Sequence, residues 1–231
     1  MDNWKSFDMS VADGAVSLHY IVAGEGKPVV LIHGNGESHQ LFRTEISQLV
    51  AAGYQVYAPD SRGHGESTAV NEFHYVEMAE DVYDFICGLG LEKPAYYGHS
   101  DGGIIGLLLE LKHPGTLSCM AISGTNLSPS GIDPAFTEKF TMLNRLEPNP
   151  LWTLMLTEPQ IDPRELEQIQ IPVLVTAGEF DLILPEETER IVSHLPKGEG
   201  VIVPGADHGS YLDGDERMGE MLIDFFAQHG Y

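Results

Sequence analysis

Apolar and polar positions switch repeatedly along the chain between a two-residue and a helical period. Between Phe7 and Val22, two short alternating segments flank Asp13-Gly14, which predicts a β-hairpin and hence a sheet that opens with antiparallel strands. Pro28 to Ile32 is an uninterrupted apolar run, as expected of a strand buried on both faces. Phe42, Ile46, Leu49 and Val50 recur at helical spacing until Gly53 stops them, and Val56, Tyr57 and Ala58 predict the next strand. A turn-rich loop from Pro59 to Ser67 leads to a second helical stripe, Ala79, Val82, Tyr83, Ile86 and Leu89. Then come a short aromatic strand after Pro94, an apolar helix reaching His113, and a strand over Leu117 to Ile122.

The rhythm breaks at Thr125. Up to Gln170 there are six prolines, a Phe136, Phe140, Leu143 helical stripe and an apolar cluster at Leu151, Trp152, Leu154, Met155 and Leu156. That segment is too long for a plain connection and too interrupted for a sheet layer, so it reads as a lid inserted into the core. Alternation resumes with a strand at Val173 to Thr176, a helix carrying Thr188, Ile191, Val192 and Leu195, a strand at Val201 to Val203, and a helix with Met218, Met221, Leu222, Phe225 and Phe226. Strands alternating with helices predict an α/β domain with a mostly parallel sheet covered on both faces. Residues 1–124 and 171–231 form its core, and residues 125–170 the short helical lid.

The predicted turn between the aromatic strand and its helix is Gly98-His99-Ser100-Asp101-Gly102. G-x-S-x-G in that context thrusts a serine hydroxyl above the sheet, and free N–H groups at the helix start face whatever it attacks. The same letters would suit a glycine-rich turn with a helix-capping serine, so their meaning depends on a base and an acid elsewhere. In open α/β sheets such groups gather at the carboxyl ends of the strands. Strand Val173 to Thr176 runs out into Gly178 and Asp181, and strand Val201 to Val203 into Asp207-His208-Gly209. Asp207 and Asp213 compete with Asp181 for the carboxylate role; its place after the preceding strand favours Asp181. His64 and Asp60 are expected to shape their loop, and His99 to point away from the site.

Five motifs in this order resemble those of the α/β-hydrolases over nearly the whole chain: His33-Gly34-Asn35-Gly36, Asp60-Ser61-Arg62-Gly63-His64-Gly65, Gly98 to Gly103, Gly178 with Asp181, and Asp207-His208-Gly209. The resemblance implies that fold, with Ser100 as nucleophile, His208 as general base, Asp181 as its orienting carboxylate, and the backbone N–H groups of Asn35 and Asp101 as oxyanion hole. The Ser-Asp-Gly-Gly elbow is similar to the valacyclovir-hydrolase-like and ring-cleavage C–C hydrolase branches. A serine there points away from the dehalogenase and epoxide-hydrolase branches, whose nucleophile is an aspartate. His-Gly-Asn-Gly differs from the glycine triplet of many lipases and disfavours bulky or long-chain esters. Phe136, Phe140, Trp152 and Met155 are candidate pocket residues, with plain lid packing open for Trp152 and Met155. Asp101 either answers the helix dipole or attracts a substrate ammonium group. Arg145 and Arg164 are the lid's arginines.

Composition narrows the partners. With 35 acidic and 12 basic residues among 231, a formal charge of -23 repels nucleic acid and anionic membranes. No apolar run reaches about eighteen residues, and Met1 to Phe7 does not read as a secretory signal. Cys87 and Cys119 have no metal-site spacing and are expected to be reduced core residues, so a cytoplasmic location is expected. Phosphate-loop, dinucleotide and zinc-protease signatures are missing, and neither cofactor nor metal is implied. The expected activity is hydrolysis of a small carboxylic ester, thioester or activated amide through an acyl-enzyme. The alternatives are a C–C hydrolase of ring-cleavage products and a ligand-binding sensor without turnover.

Overall fold

A computed structural model describes residues 4–212 and 214–231. The chain opens with β1 (Lys5–Val11) and β2 (Val16–Ala23), an antiparallel pair joined by a tight turn in which Asp13 takes a left-handed φ of 53°. There follow β3 (Lys27–Ile32), α1 (Arg43–Ala51), β4 (Tyr54–Pro59), α2 (Tyr75–Gly88), β5 (Ala95–His99), α3 (Asp101–Lys112) and β6 (Met120–Ser123). After β6 come α4 (Pro134–Leu146) and α5 (Pro150–Thr157), and then β7 (Val173–Gly178), α6 (Pro185–His194), β8 (Gly198–Val203) and α7 (Arg217–Gln228). The strands form one eight-stranded sheet in the order β1-β2-β4-β3-β5-β6-β7-β8, parallel from β4 to β8. This is the α/β-hydrolase fold expected from the motifs.

Two apolar layers hold the helices to the sheet. In β3, Val30 and Ile32 point into one core with Met78, Val82 and Leu107 from α2 and α3. Val29 and Leu31 point into the other, with Phe42 just before α1, Ile46 and Leu49 from α1, and Met218, Leu222 and Phe226 from α7. From Val29 to Ile32 the strand is apolar at every position because neither face meets water there, and the residues of both cores are almost fully enclosed.

The structure corrects two expectations outside the site. The strand expected at Leu117 to Ile122 begins only at Met120. The Leu117 N–H is taken by the buried Glu110 carboxylate of α3 at 2.7 Å and is lost to strand pairing, while Ser118 and Cys119 make backbone bonds to Pro94 and Tyr96 just ahead of the regular strand. Cys119 is buried, but Cys87 is exposed rather than part of the core. The buried face of α2 carries Met78, Val82, Phe85 and Ile86, and one further residue turns about 100° away from it.

Candidate active site

Carboxyl ends of β3, β5, β7 and β8 bring the candidate residues together. The elbow is a sharp turn from β5 into α3, and its strain falls on the serine itself: Ser100 has φ 53° and ψ -113°. The flanking glycines have another reason to be small. A Cβ at Gly98 would lie 2.2 Å from the Gly102 carbonyl, and one at Gly102 would lie 2.0 Å from the Ile32 carbonyl of β3. Only bare backbone lets α3 start this close to the sheet.

His208 reaches over from the loop after β8, with Nε2 3.1 Å from Ser100 Oγ. Its Nδ1–H donates to Asp181 Oδ1 at 2.7 Å, a pairing that leaves the Nε2 lone pair for the hydroxyl proton. Asp181 also accepts from the Ile183 N–H at 3.0 Å and the Gly178 N–H at 3.1 Å. Burial works to raise the Asp181 carboxyl, but the His208 bond and these two N–H groups together hold it below its ordinary range. It stays ionised beside the imidazole. Hydroxyl, imidazole and carboxylate in such a relay can activate a nucleophile. Of the rival carboxylates, Asp207 folds onto its own turn, accepting from the Gly209 and Ser210 N–H groups, and Asp213 lies outside the described residues.

Ser100 and His208 open into a cavity of about 320 Å³. Asn35 and Asp101 are on its wall, and Asp101 opens α3, where first-turn N–H groups have no helical carbonyl to bond. Phe136, Phe140, Trp152 and Met155 all line it. Phe136 and Phe140 stack at 4.5 Å, and Trp152 meets Phe140 edge-on at 5.3 Å. His99 departs from expectation: it is buried on the cavity wall, bonds Ser123 Oγ through Nδ1 at 2.9 Å, and packs 4.9 Å from the His208 ring. Burial, then the nearby His208, holds its imidazole well below the usual range, so it stays neutral. Asp60 and His64 do shape their loop, Asp60 accepting from the His39 and Glu66 N–H groups and His64 bonding the Arg62 carbonyl.

Three carboxylates line the cavity, Glu37, Asp101 and Glu158, while among the described residues no lysine or arginine does. Arg145 is exposed, and Arg164 is exposed and paired with Asp162. Burial raises the Glu37 and Asp101 carboxyls above their ordinary values, opposed in Glu37 by the Gly34 N–H and in Asp101 by Tyr75 and Asn35. Sequence reasoning missed Glu37, Tyr75 and Glu158. Glu37 sits three residues past His33-Gly34, where a loop motif could have drawn attention; nothing local marks the other two. Among the described residues no helix is long and apolar enough to cross a membrane, and no group of three His, Cys, Asp or Glu side chains is arranged to hold a metal.

A family model described as alpha/beta hydrolase fold matches residues 27–154, more than half of the chain. Bifunctional epoxide hydrolase 2 of Sus scrofa is 31% identical over 158 residues, 66% of this chain but 27% of that protein. The 2-hydroxy-6-oxo-6-(2'-aminophenyl)hexa-2,4-dienoic acid hydrolase of Metapseudomonas resinovorans is 24% identical, with 93% of this chain and 89% of the relative covered. Among solved structures, a thermophilic esterase from Thermogutta terrifontis superposes with a TM-score of 0.81 at 21% identity, covering 97% of this chain and 99% of the esterase.

Proposed function

The chain belongs to the alpha/beta hydrolase fold family, and from that premise we propose that it is a serine hydrolase cleaving a small, uncharged carboxylic ester through an acyl-enzyme on Ser100. The observation that carries this reading is the Ser100, His208, Asp181 relay at the cavity floor, with contacts of 3.1 and 2.7 Å. Ser100 Oγ attacks the ester carbonyl while His208 Nε2 takes its proton, and Asp181 steadies the imidazolium. The N–H groups of Asn35 and Asp101 receive the oxyanion. His208 then protonates the leaving alcohol, and water repeats the sequence on the acyl-enzyme with His208 again as base.

Charge supports a neutral substrate. A ring-cleavage product would bring its own carboxylate into a cavity holding Glu37, Asp101 and Glu158, where no lysine or arginine among the described residues compensates it. Residues 125–170 act as the lid, with Phe136, Phe140, Trp152 and Met155 as acyl-side walls.

Stopped-flow assay of 4-nitrophenyl acetate tests the proposal. The expected result is a nitrophenolate burst equal to the enzyme concentration, abolished in Ser100→Ala and His208→Ala. A folded wild type with neither burst nor turnover would discard it and bring the ligand-binding sensor forward.

A further inference from the structure

Asp101 is buried at the foot of the cavity, and both of its carboxylate oxygens are in use. Oδ1 accepts from the Tyr75 hydroxyl at 2.7 Å, and Oδ2 accepts from the Asn35 side-chain amide at 3.0 Å. The second hydrogen of that amide goes to the Leu151 carbonyl at 3.2 Å, at the start of α5. Its orientation is therefore unambiguous, because the reverse would aim the amide oxygen at two groups that only accept. On the far side, the Tyr75 N–H donates to Glu158 Oε2 at 3.1 Å, and Glu158 Oε1 pairs with His74 Nδ1 at 2.6 Å. One polar chain thus joins the loop after β3, the elbow, the start of α2 and both ends of α5.

Resting on the reading of the site as a serine hydrolase, we propose that the Asp101 side chain is the positioning residue for the oxyanion hole, holding the Asn35 loop through the Asn35 amide and tying the lid to it at Leu151. Asp101 already contributes one oxyanion donor with its own N–H. By gripping Asn35 it also sets where the second donor stands, so one residue determines the spacing of the pair. Alanine here would offer no acceptor, whereas the carboxylate presents one oxygen to each of two elements and spends one bond of each on holding Tyr75 and Asn35.

The test uses the full chain, 4-nitrophenyl butyrate and five variants: Asp101→Ala, Asp101→Asn, Asn35→Ala, the Asp101→Ala/Asn35→Ala double, and Tyr75→Phe as the mildest should others fold poorly. Asn35→Ala keeps the backbone N–H and loses only the tether. Loss of an oxyanion donor costs about 100-fold to 1,000-fold in kcat, and misplacing one should cost about 10-fold to 100-fold. That loss is expected in kcat for both single alanine variants, with KM nearly unchanged. The double variant should be no slower than the worse single, since the two residues act through one contact. Asp101→Asn, whose amide oxygen still accepts from Asn35, should recover most of the rate, and Tyr75→Phe should lose only a few-fold. Multiplying effects, an unchanged kcat, or a rise confined to KM would each overturn the proposal. Amide hydrogen exchange supplies a readout independent of turnover: residues 34–37 and 151–152 should lose protection in Asp101→Ala and Asn35→Ala. Unchanged protection overturns the tether whatever the kinetics show, whereas a wild type without Ser100-dependent turnover overturns the hydrolase reading instead.

Discussion

Acid should weaken this fold through a histidine that performs no chemistry. His33 is buried between β3 and the Asn35 loop, where its Nδ1–H donates to the Gly34 carbonyl at 2.8 Å and its Nε2 accepts from the Ser61 N–H at 3.0 Å. A proton on Nε2 would set donor against donor, and the His64 ring lies 5.1 Å away. Burial first, then His64, holds the imidazole down at about 4. In the unfolded chain it titrates near 6.5, so the folded state resists a proton that the unfolded state accepts. Stability is therefore complete above about pH 6.5 and drains away as pH falls toward 4, where the folded state begins to accept the proton too. At roughly 1.4 kcal/mol per pH unit, the loss is about 2 kcal/mol at pH 5 and about 3 kcal/mol at pH 4. Urea unfolding of wild type and His33→Gln from pH 7.5 to 4 isolates this contribution, since the other titrating groups are common to both. Wild type should start more stable and lose its advantage by that amount. Parallel loss of stability in the two proteins would refute the requirement for a neutral His33.

Two further substitutions probe the site. Gly124, just past β6, has φ +56°, and a Cβ there would lie 2.6 Å from His208 Cε1 and 2.7 Å from its Nδ1. Gly124→Ala should push the imidazole off Asp181 and Ser100 and lower kcat by about 100-fold, the scale of general-base catalysis, with a stability cost of about 1 kcal/mol for the left-handed backbone; a near-normal kcat with a lowered melting temperature would show that the ring has room to yield. Trp152→Ala removes the edge-on partner of Phe140 and enlarges the acyl side of the cavity, so the ratio of kcat/KM for a hexanoate over an acetate ester should rise roughly tenfold, and an unchanged ratio would put Trp152 outside the acyl path.

Much of this was legible along the chain because it is local. The apolar run Val29 to Ile32 is a strand buried on both faces, and the 3.6-residue stripes of α2 and α7 mark the sides that meet the sheet. Ser100, Asp181 and His208 could be singled out because each lies just beyond a strand end and parallel strands deliver such positions to one edge. Where Cys87 would point, where β6 would begin and which residue would carry the elbow's strain depended on neighbours far off in sequence: the sheet beneath α2, Glu110 beside Leu117, and the Ile32 carbonyl against α3. The same is true of the acidic cavity and of the chain from Leu151 through Asn35, Asp101 and Tyr75 to Glu158. Periodicity places a residue on a face, but a hydrogen bond also needs a partner at 3 Å and a fixed angle, and that partner arrives only when separate elements pack.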